Sequence, residues 1–267
     1  MKLHSFLLLG LVSFLGAQTK IVIKGSDTLG AKMIPKLAEA YQNKNASSKF
    51  EIAAEGSSTG IAAIIDGTAD IGMSSRELKG KEKASAGANG VFLYQTVIAT
   101  DAVAIIVNEK NPLDSLSSKQ VERIFTGDIS DWSSVGGSSG KISVYTRNTS
   151  SGTYSFFQKV ALSSRDYGSN TQKLAGNEQI ATEVAKNPQG VGYVGLAYLK
   201  AKGIKAVKLN GIYPSNESVN ANQYKLSRNL NCFTNGKPKG NAKSFLDFAL
   251  TTEGQIIVES TGFVRVK

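Results

Sequence analysis

The stretch QTVIATDAVAIIVN, residues 95–108, is a long run rich in valine, isoleucine, threonine and alanine. β-Branched residues favour strands, and this run is longer than the usual strand of a globular protein. Such a length suits a strand that crosses between two parts of a molecule. Its only charged residue is Asp101, which a crossing strand would carry toward the cleft between those parts.

Segments typical of strands and of helices alternate on both sides of this stretch. We predict strands at residues 19–25, 49–56, 69–75, 141–147 and 190–195, and helices at 30–44, 58–67, 117–127 and 150–162, with two more helices within 241–263. Alternation of this kind indicates an α/β fold with mostly parallel sheets.

The crossing stretch divides the chain into two predicted lobes. Lobe one is expected to contain residues 20–98 together with 222–267, and lobe two residues 102–212. Hinge segments are expected near 99–101 and 213–221. Two crossings make a hinge that can close around a ligand.

Residues 1–19 have the pattern of a cleaved secretory signal peptide. Lys2 precedes an apolar stretch that ends at Leu15, and two small residues follow it. The apolar stretch is too short to span a bilayer, and no second long apolar run follows. No cysteine lies near the expected cleavage site to carry a lipid anchor, so we expect an exported, periplasmic protein.

The composition excludes several kinds of site. The only histidine, His4, lies in the expected signal peptide, which leaves no imidazole for a hydrolase or for a zinc site. Cys232 is the only cysteine and is expected in the core, so no disulfide or thiolate cluster is predicted. The formal net charge is +10, but the basic residues are spread along the chain. We therefore expect no metal, no cofactor and no nucleic acid, and a diffuse attraction for small anions.

Three junctions between a predicted strand and a predicted helix are rich in glycine and hydroxyl residues. They are GSDTLG at 25–30, GSSTG at 56–60 and NTSSGTY at 148–154. Free N–H groups at the start of a helix favour anions, and serine and threonine add short hydroxyl donors. Ligands of α/β sheets bind at the carboxyl ends of the strands, so we expect the three junctions to form one oxyanion site. Simple helix capping explains each junction when it is taken alone.

Six ordered stretches also carry a family resemblance, and together they span nearly all of the chain after residue 19. They read IVIKGSDTL, EGSSTGIAAIIDGTADIGMSSREL, DAVAIIVNEKNPLDSLSSKQVERIFTGDISDW, VYTRNTSSGTYSFF, GVGYVGLAYL and FLDFALTTEGQIIVESTGFV. The set resembles the phosphate-binding proteins that deliver phosphate to ABC transporters, within the extracytoplasmic solute-binding proteins.

The resemblance implies a fold and a function. The fold is α/β, a two-lobed type II periplasmic-binding-protein fold with two α/β sandwich lobes joined by two crossing strands. The implied protein is a monomer without enzymatic activity, which closes its lobes over dehydrated inorganic phosphate and then docks on the permease subunits of an ABC transporter.

The resemblance also implies a set of ligand contacts. The first junction provides the hydroxyl of Thr28 and the backbone N–H of Leu29, and the second provides Ser57. The third provides Ser151, Gly152 and Thr153, with Arg147 as the charged partner. An arginine fork matches two oxyanion oxygens at once.

One position departs from the family pattern. Where well-known members have a carboxylate that accepts the proton of bound phosphate, this chain has Ser75, followed by Arg76. We expect Asp101 to replace that acceptor and to lie near Arg76, both at the ligand site. Asp27 in the first junction is a second possible acceptor, and a purely structural pairing of Asp101 with Arg76 is the alternative to a ligand contact.

Three other functions stay open. The departure at Ser75 makes sulfate, molybdate or tungstate possible ligands of the same fold. A phosphate-ester hydrolase would use the same junctions to hold phosphate, but no residue pattern supplies its catalytic base. A surface or adhesion role has only exposed lysines and the loop at 133–140 in its favour.

Overall fold

The computed structural model describes residues 19–266, so residues 1–18 of the expected signal peptide lie outside it. The strands are β1 (Thr19–Gly25), β2 (Ser48–Ala54), β3 (Ile71–Ser74), β4 (Leu93–Asn108), β5 (Ser115–Leu116), β6 (Ser143–Arg147), β7 (Gln172–Leu174), β8 (Gly190–Gly195), β9 (Ile204–Ala206), β10 (Lys208–Leu209) and β11 (Ser227–Asn235). The helices are α1 (Asp27–Gly30), α2 (Met33–Lys44), α3 (Ser57–Ile65), α4 (Gly80–Ala88), α5 (Ser118–Phe125), α6 (Gly152–Ala161), α7 (Asn177–Lys186), α8 (Asn216–Asn220), α9 (Gly240–Leu250) and α10 (Thr252–Ser260). Two short 3-10 helices lie at Trp132–Val135 and Leu196–Tyr198.

Strand β4 joins the two parts of the molecule. Its first part, from Leu93 to Ala102, pairs with β11, and its second part, from Val103 to Asn108, pairs with β8 and β9. The fold is therefore two-lobed, with β1, β2 and β3 in lobe one and β6, β7, β8 and β9 in lobe two. The prediction of a crossing strand is confirmed, whereas the predicted residue limits of the lobes stay a prediction.

The main sheet is mixed and not mostly parallel as predicted. Its order is β2-β1-β3-β11-β4-β8-β6-β7, with β9 paired to β4. The pairs at both ends of the sheet are parallel, as predicted for βαβ units, but β11 is antiparallel to β3 and β4, and β4 is antiparallel to β8. The centre differs because β4 and β11 run side by side in opposite directions.

Most predicted elements are present, with shifted ends. Strands β1 and β8 match the predicted residues, and α9 and α10 form the predicted helix pair that breaks at Thr251. Helices α4 and α7 and strand β11 were not predicted. Helix α4 buries only Ala86, so its sequence has no apolar stripe to reveal it.

The hydrophobic core forms two clusters. In lobe one, Tyr41, Phe50 and Phe245 pack edge to face or tilted on one another between the sheet and α2 and α9. In lobe two, Phe157 stacks on Tyr193, with ring centroids 4.2 Å apart. Cys232 is fully buried in the first cluster, where burial raises the pKa of its thiol to about 12, so it is a core residue as expected.

Within residues 19–266, no helix combines the length and the apolar character that crossing a membrane requires.

Glycine packing brings α3 close to the sheet. A methyl group at Gly60 would lie 2.6 Å from the Lys24 carbonyl oxygen and 2.7 Å from the Gly25 Cα. Only glycine allows α3 to approach β1 this closely, and the approach holds the start of α3 beside the ends of β1 and β3.

We predict that Gly60→Ala lowers the free energy of unfolding by about 1–3 kcal/mol, because backbone atoms cannot move away from the added methyl group. Gly87→Ala in α4 is the matched control, since a methyl group there meets no atom within 4 Å. It should leave stability unchanged or raise it slightly. Urea unfolding measures both variants, and equal midpoints for Gly60→Ala and the wild type would contradict the packing argument.

Candidate functional site

Four hydroxyl groups from distant parts of the chain meet between the lobes. The Thr28 and Thr153 hydroxyl oxygens lie 3.1 Å apart, and those of Ser57 and Ser75 lie 3.4 Å apart. All four side chains are completely buried. We call Thr28, Ser57, Ser75 and Thr153 the hydroxyl cluster.

Each member of the hydroxyl cluster stands at the end of a strand or in the first turn of a helix. Thr28 lies in α1 after β1, Ser57 begins α3 after β2, Ser75 follows β3, and Thr153 lies in the first turn of α6 after β6. The three glycine-rich junctions of the sequence therefore do meet in space. Their location follows from the parallel strands at each end of the sheet, whose carboxyl ends face the same cleft.

Gly152 brings the two hydroxyl pairs into one site. A methyl group on Gly152 would lie 2.2 Å from the Ser57 hydroxyl oxygen and 2.8 Å from that of Ser75. The backbone at the start of α6 thus lies directly against two hydroxyls of lobe one. Ser151 caps α6 by accepting a hydrogen bond from the Tyr154 N–H at 3.3 Å.

The predicted ligand contact at Leu29 involves its backbone N–H, and it stays a prediction. The Leu29 side chain packs in the first core cluster and is completely buried. Only its backbone N–H, in the first turn of α1, is left to act as a donor beside Thr28.

Arg147 ends β6 beside the hydroxyl cluster and is 1% exposed. Its Nε donates a hydrogen bond to the Ala175 carbonyl at 3.0 Å. Its Nη1 lies 3.2 Å from Asp27 Oδ2, but the geometry is not that of a hydrogen bond, so Nη1 is a buried donor without a hydrogen-bond partner. A buried guanidinium with an unsatisfied N–H is a strong donor for an anion.

Arg228, which the sequence interpretation took as structural and not as a ligand contact, lies against the hydroxyl cluster. Its Nη1 donates to the Thr153 hydroxyl at 2.9 Å and to the Ser75 carbonyl at 3.2 Å. Its Nη2 lies 2.9 Å from Asp101 Oδ2, and the two residues stand opposite each other in the pairing of β11 with β4. A signal was present in hindsight, because β4 and β11 each carry a single charged residue and the two charges have opposite sign.

The Asp101 carboxylate is fully buried and held from two sides. Arg228 binds Oδ2, and the Leu196 N–H donates to Oδ1 at 3.0 Å. Burial raises the pKa of Asp101 and lowers that of Arg228, while the attraction between the two charges opposes both shifts.

Asp101 and Arg76 do not pair with each other, because Arg228 binds Asp101. The Arg76 guanidinium instead forms a two-pronged pair with Glu82 of α4, at 2.6 and 2.8 Å, and also donates to the Ser58 hydroxyl at 3.1 Å. Because helix α4 was not predicted, the sequence interpretation did not consider Glu82 as a partner of Arg76. Burial opposes the negative charge of Glu82, but the hydrogen bonds from Arg76 and from the Lys79 N–H outweigh it, and the pKa of Glu82 is lowered.

The charges around the hydroxyl cluster balance in pairs. Each of the three buried arginines has a carboxylate partner: Arg76 with Glu82, Arg147 with Asp27, and Arg228 with Asp101. The donors left for a ligand are then hydroxyls, backbone N–H groups at helix starts, and Nη1 of Arg147. Among residues 19–266, no three metal-binding side chains of the His, Cys, Asp or Glu type lie together.

Comparisons with known proteins agree with this architecture. The family model for the PBP superfamily domain matches residues 15–253. The phosphate-binding protein PstS of Borreliella burgdorferi is 30% identical over 259 residues, which cover 93% of this chain and 91% of that protein. PstS of Pseudomonas aeruginosa is 31% identical over 263 residues, which cover 90% of this chain and 81% of that protein.

A solved structure is also similar. The crystal structure of a phosphate ABC transporter substrate-binding protein from Clostridium perfringens, with bound phosphate, superimposes with a TM-score of 0.86 at 33% sequence identity. The match covers 93% of this chain and all of that one.

We predict that the Arg76–Glu82 pair makes stability depend on pH in the acid range. A carboxyl group with a lowered folded-state pKa contributes stability above its unfolded pKa of about 4.3, and this contribution is lost as the pH falls through the folded-state value. The wild type should therefore exceed Glu82→Gln in unfolding free energy at pH 6, and the difference should shrink steadily toward pH 3. Urea unfolding from pH 3 to 7 measures it, with Glu109→Gln, at an exposed position just after β4, as control. A difference that is constant over this range would contradict the assignment.

Proposed function

This chain belongs to the PBP superfamily and, within it, to the phosphate-binding proteins, and on that basis we propose that it captures inorganic phosphate between its lobes and delivers it to an ABC transporter. The observation that carries the proposal is the hydroxyl cluster, buried at the starts of helices beside the unsatisfied Nη1 of Arg147. Such a set of donors suits a tetrahedral oxyanion that has lost its water.

We assign phosphate contacts to three kinds of donor. The proposed contacts are the hydroxyls of Thr28, Ser57, Ser75, Ser151 and Thr153, the backbone N–H groups of Leu29 and Gly152, and the guanidinium of Arg147. We assign Arg76 and Asp101 a supporting role and no direct phosphate contact. Arg76 is already bound by Glu82 and Ser58, and Asp101 is already bound by Arg228 and Leu196.

Binding in such a site relies on local dipoles more than on net charge. Arg76 and Arg228 are already bound by carboxylates, so apart from Nη1 of Arg147 the phosphate charge is met by N–H and O–H groups that point at it. These groups are fixed by the helices before the ligand arrives, so little ordering is needed on binding. The formal net charge of +10 attracts anions toward the protein at long range.

The remaining parts of the proposal concern location and partners. The protein acts outside the cytoplasm, in the periplasm, as a monomer that presents its closed form to the permease subunits. It releases phosphate unchanged and does not act as an enzyme. In support, the carboxylates beside the hydroxyl cluster, Asp27 and Asp101, are both engaged with arginines and so are poorly placed to act as a catalytic base.

Calorimetric titration with phosphate, sulfate and molybdate tests the proposal. The protein is first unfolded and refolded, because a tightly held ligand can survive purification. Phosphate is expected to bind more strongly than sulfate or molybdate, with a sulfate response that is weaker but measurable. Preference for another oxyanion would assign a different ligand to the same site, and turnover of p-nitrophenyl phosphate with or without divalent metals would overturn the non-enzymatic role.

We predict that Thr153→Val weakens phosphate binding about 10- to 100-fold, because a hydrogen bond to a charged group contributes about 1.5–3 kcal/mol. Valine keeps the shape of threonine but has no hydroxyl for the ligand. Thr182→Val, at an exposed position on α7, is the matched control and should bind like the wild type. Titration calorimetry measures both, and an unchanged affinity of Thr153→Val would remove this residue from the site.

A second prediction concerns the choice between phosphate and sulfate. Ser75 has no charge, and the nearby carboxylates are paired with arginines, so the described site repels a fully ionised oxyanion only weakly. We expect sulfate to compete measurably in the wild type. Ser75→Asp should raise the ratio of phosphate to sulfate affinity by roughly tenfold or more, because only phosphate can donate a proton to the new carboxylate.

The control for this experiment is Ser75→Asn, which has nearly the same size as the aspartate variant but no charge. It should not change the ratio in favour of phosphate. Competition titrations at pH 7 measure both variants, and equal ratios in the two would show that shape and not charge decides the preference.

A further inference from the structure

The side chain of Asp27 in lobe one makes its hydrogen bonds and its ion pair across the cleft. Its Oδ2 accepts hydrogen bonds from the backbone N–H of Asn177 at 3.1 Å and from the Asn177 side-chain amide at 2.7 Å. The same oxygen lies 3.2 Å from Arg147 Nη1. Both partners belong to lobe two, at the start of α7 and at the end of β6.

Helix α7 has no cap of its own. Its N-cap residue is Gly176, which has no side chain to accept a hydrogen bond from the first turn. Asp27 takes this role from the other lobe, and a carboxylate at a helix start is also favoured by the helix dipole. The fit is close, since a methyl group on Gly176 would lie 3.1 Å from Asp27 Oδ1.

Asn177 is held firmly on its own side of the cleft. It is completely buried, and its side-chain oxygen accepts a hydrogen bond from the Gly195 N–H of β8 at 3.1 Å. Its amide nitrogen, besides binding Asp27, lies 3.4 Å from the Thr28 hydroxyl oxygen. Separation of the lobes would break the Asp27 contacts together and leave the start of α7 uncapped.

We propose that Asp27 is a positioning residue that latches the closed arrangement of the lobes by capping α7 and orienting Arg147. The part that concerns phosphate rests on the proposed function, whereas the latch between the lobes does not. Since opening must precede release, loss of the latch should act mainly on the rate at which phosphate leaves.

The direction of the change in phosphate release distinguishes this proposal from simple repulsion between the carboxylate and the ligand. A carboxylate beside an anion site repels the ligand, so removing its charge would by itself strengthen phosphate binding. The latch requires the opposite result, which is faster release from Asp27→Asn.

The experiment compares the wild type with Asp27→Asn. Exchange of radioactive phosphate against excess unlabelled phosphate gives the dissociation rate, and small-angle X-ray scattering of the ligand-free protein gives the radius of gyration. We expect release to be roughly tenfold faster or more, from the loss of charge-assisted hydrogen bonds, and the ligand-free variant to be more expanded. The control is Asp131→Asn, because Asp131 caps a 3-10 helix of lobe two through the Ser133 N–H within one lobe.

A reversed pair tests the direct contact. Asn177→Asp alone places two carboxylates face to face and should release phosphate faster still. Combined with Asp27→Asn, it restores an amide and a carboxylate across the cleft in the opposite order, and it should recover part of the wild-type rate. If Asp27→Asn fails to fold, Asn177→Ser removes the amide donor from the other side and should show the same faster release.

The results that would overturn the latch differ from those that would overturn the proposed function. Equal release rates and equal radii for the wild type and Asp27→Asn would overturn the latch. A wild type that does not bind phosphate would overturn the proposed function, and the scattering comparison alone would then decide the latch.

Discussion

The buried pair of Asp101 and Arg228 is the interaction on which the rest of the structure depends. The two residues face each other on β4 and β11, the long strands that pair in the middle of the sheet. Removing either partner would leave an unpaired charge in a completely buried position, which is very costly. The same Arg228 also donates to Thr153 and to the Ser75 carbonyl, so the interaction that joins the strands also fixes part of the proposed ligand site.

The site combines neutral donors with charges that are already balanced. Hydroxyls and helix-start N–H groups supply directional hydrogen bonds, and three arginine–carboxylate pairs surround them. Burial of so many charges stabilises the fold little by itself, because desolvation offsets most of the attraction. In the proposed function they hold the hydroxyls and the guanidinium of Arg147 in place, which prepares the site for phosphate.

Much of the fold was predictable because apolar patterns reveal local structure. Strand β4 is a continuous β-branched run, and β8 was predicted residue for residue. Helix α4 lacks such a pattern, and β11 carries arginine and asparagine among its buried residues, so both escaped prediction. The antiparallel centre of the sheet was missed in part for a related reason, since two of its pairs involve β11.

The sequence by itself determined the strand–helix alternation, the crossing strand and the three hydroxyl-rich junctions, because each depends on residues that are neighbours along the chain. Only the tertiary structure decided which charges pair. Arg76 pairs with Glu82, and Asp101 pairs with Arg228. Asp27 accepts a hydrogen bond from the Asn177 amide across the cleft. Arg228 and Asn177 lie more than a hundred residues along the chain from Asp101 and Asp27. Which partner a buried charge meets depends on the register of the strands and on the closure of the lobes, and no local sequence pattern encodes either.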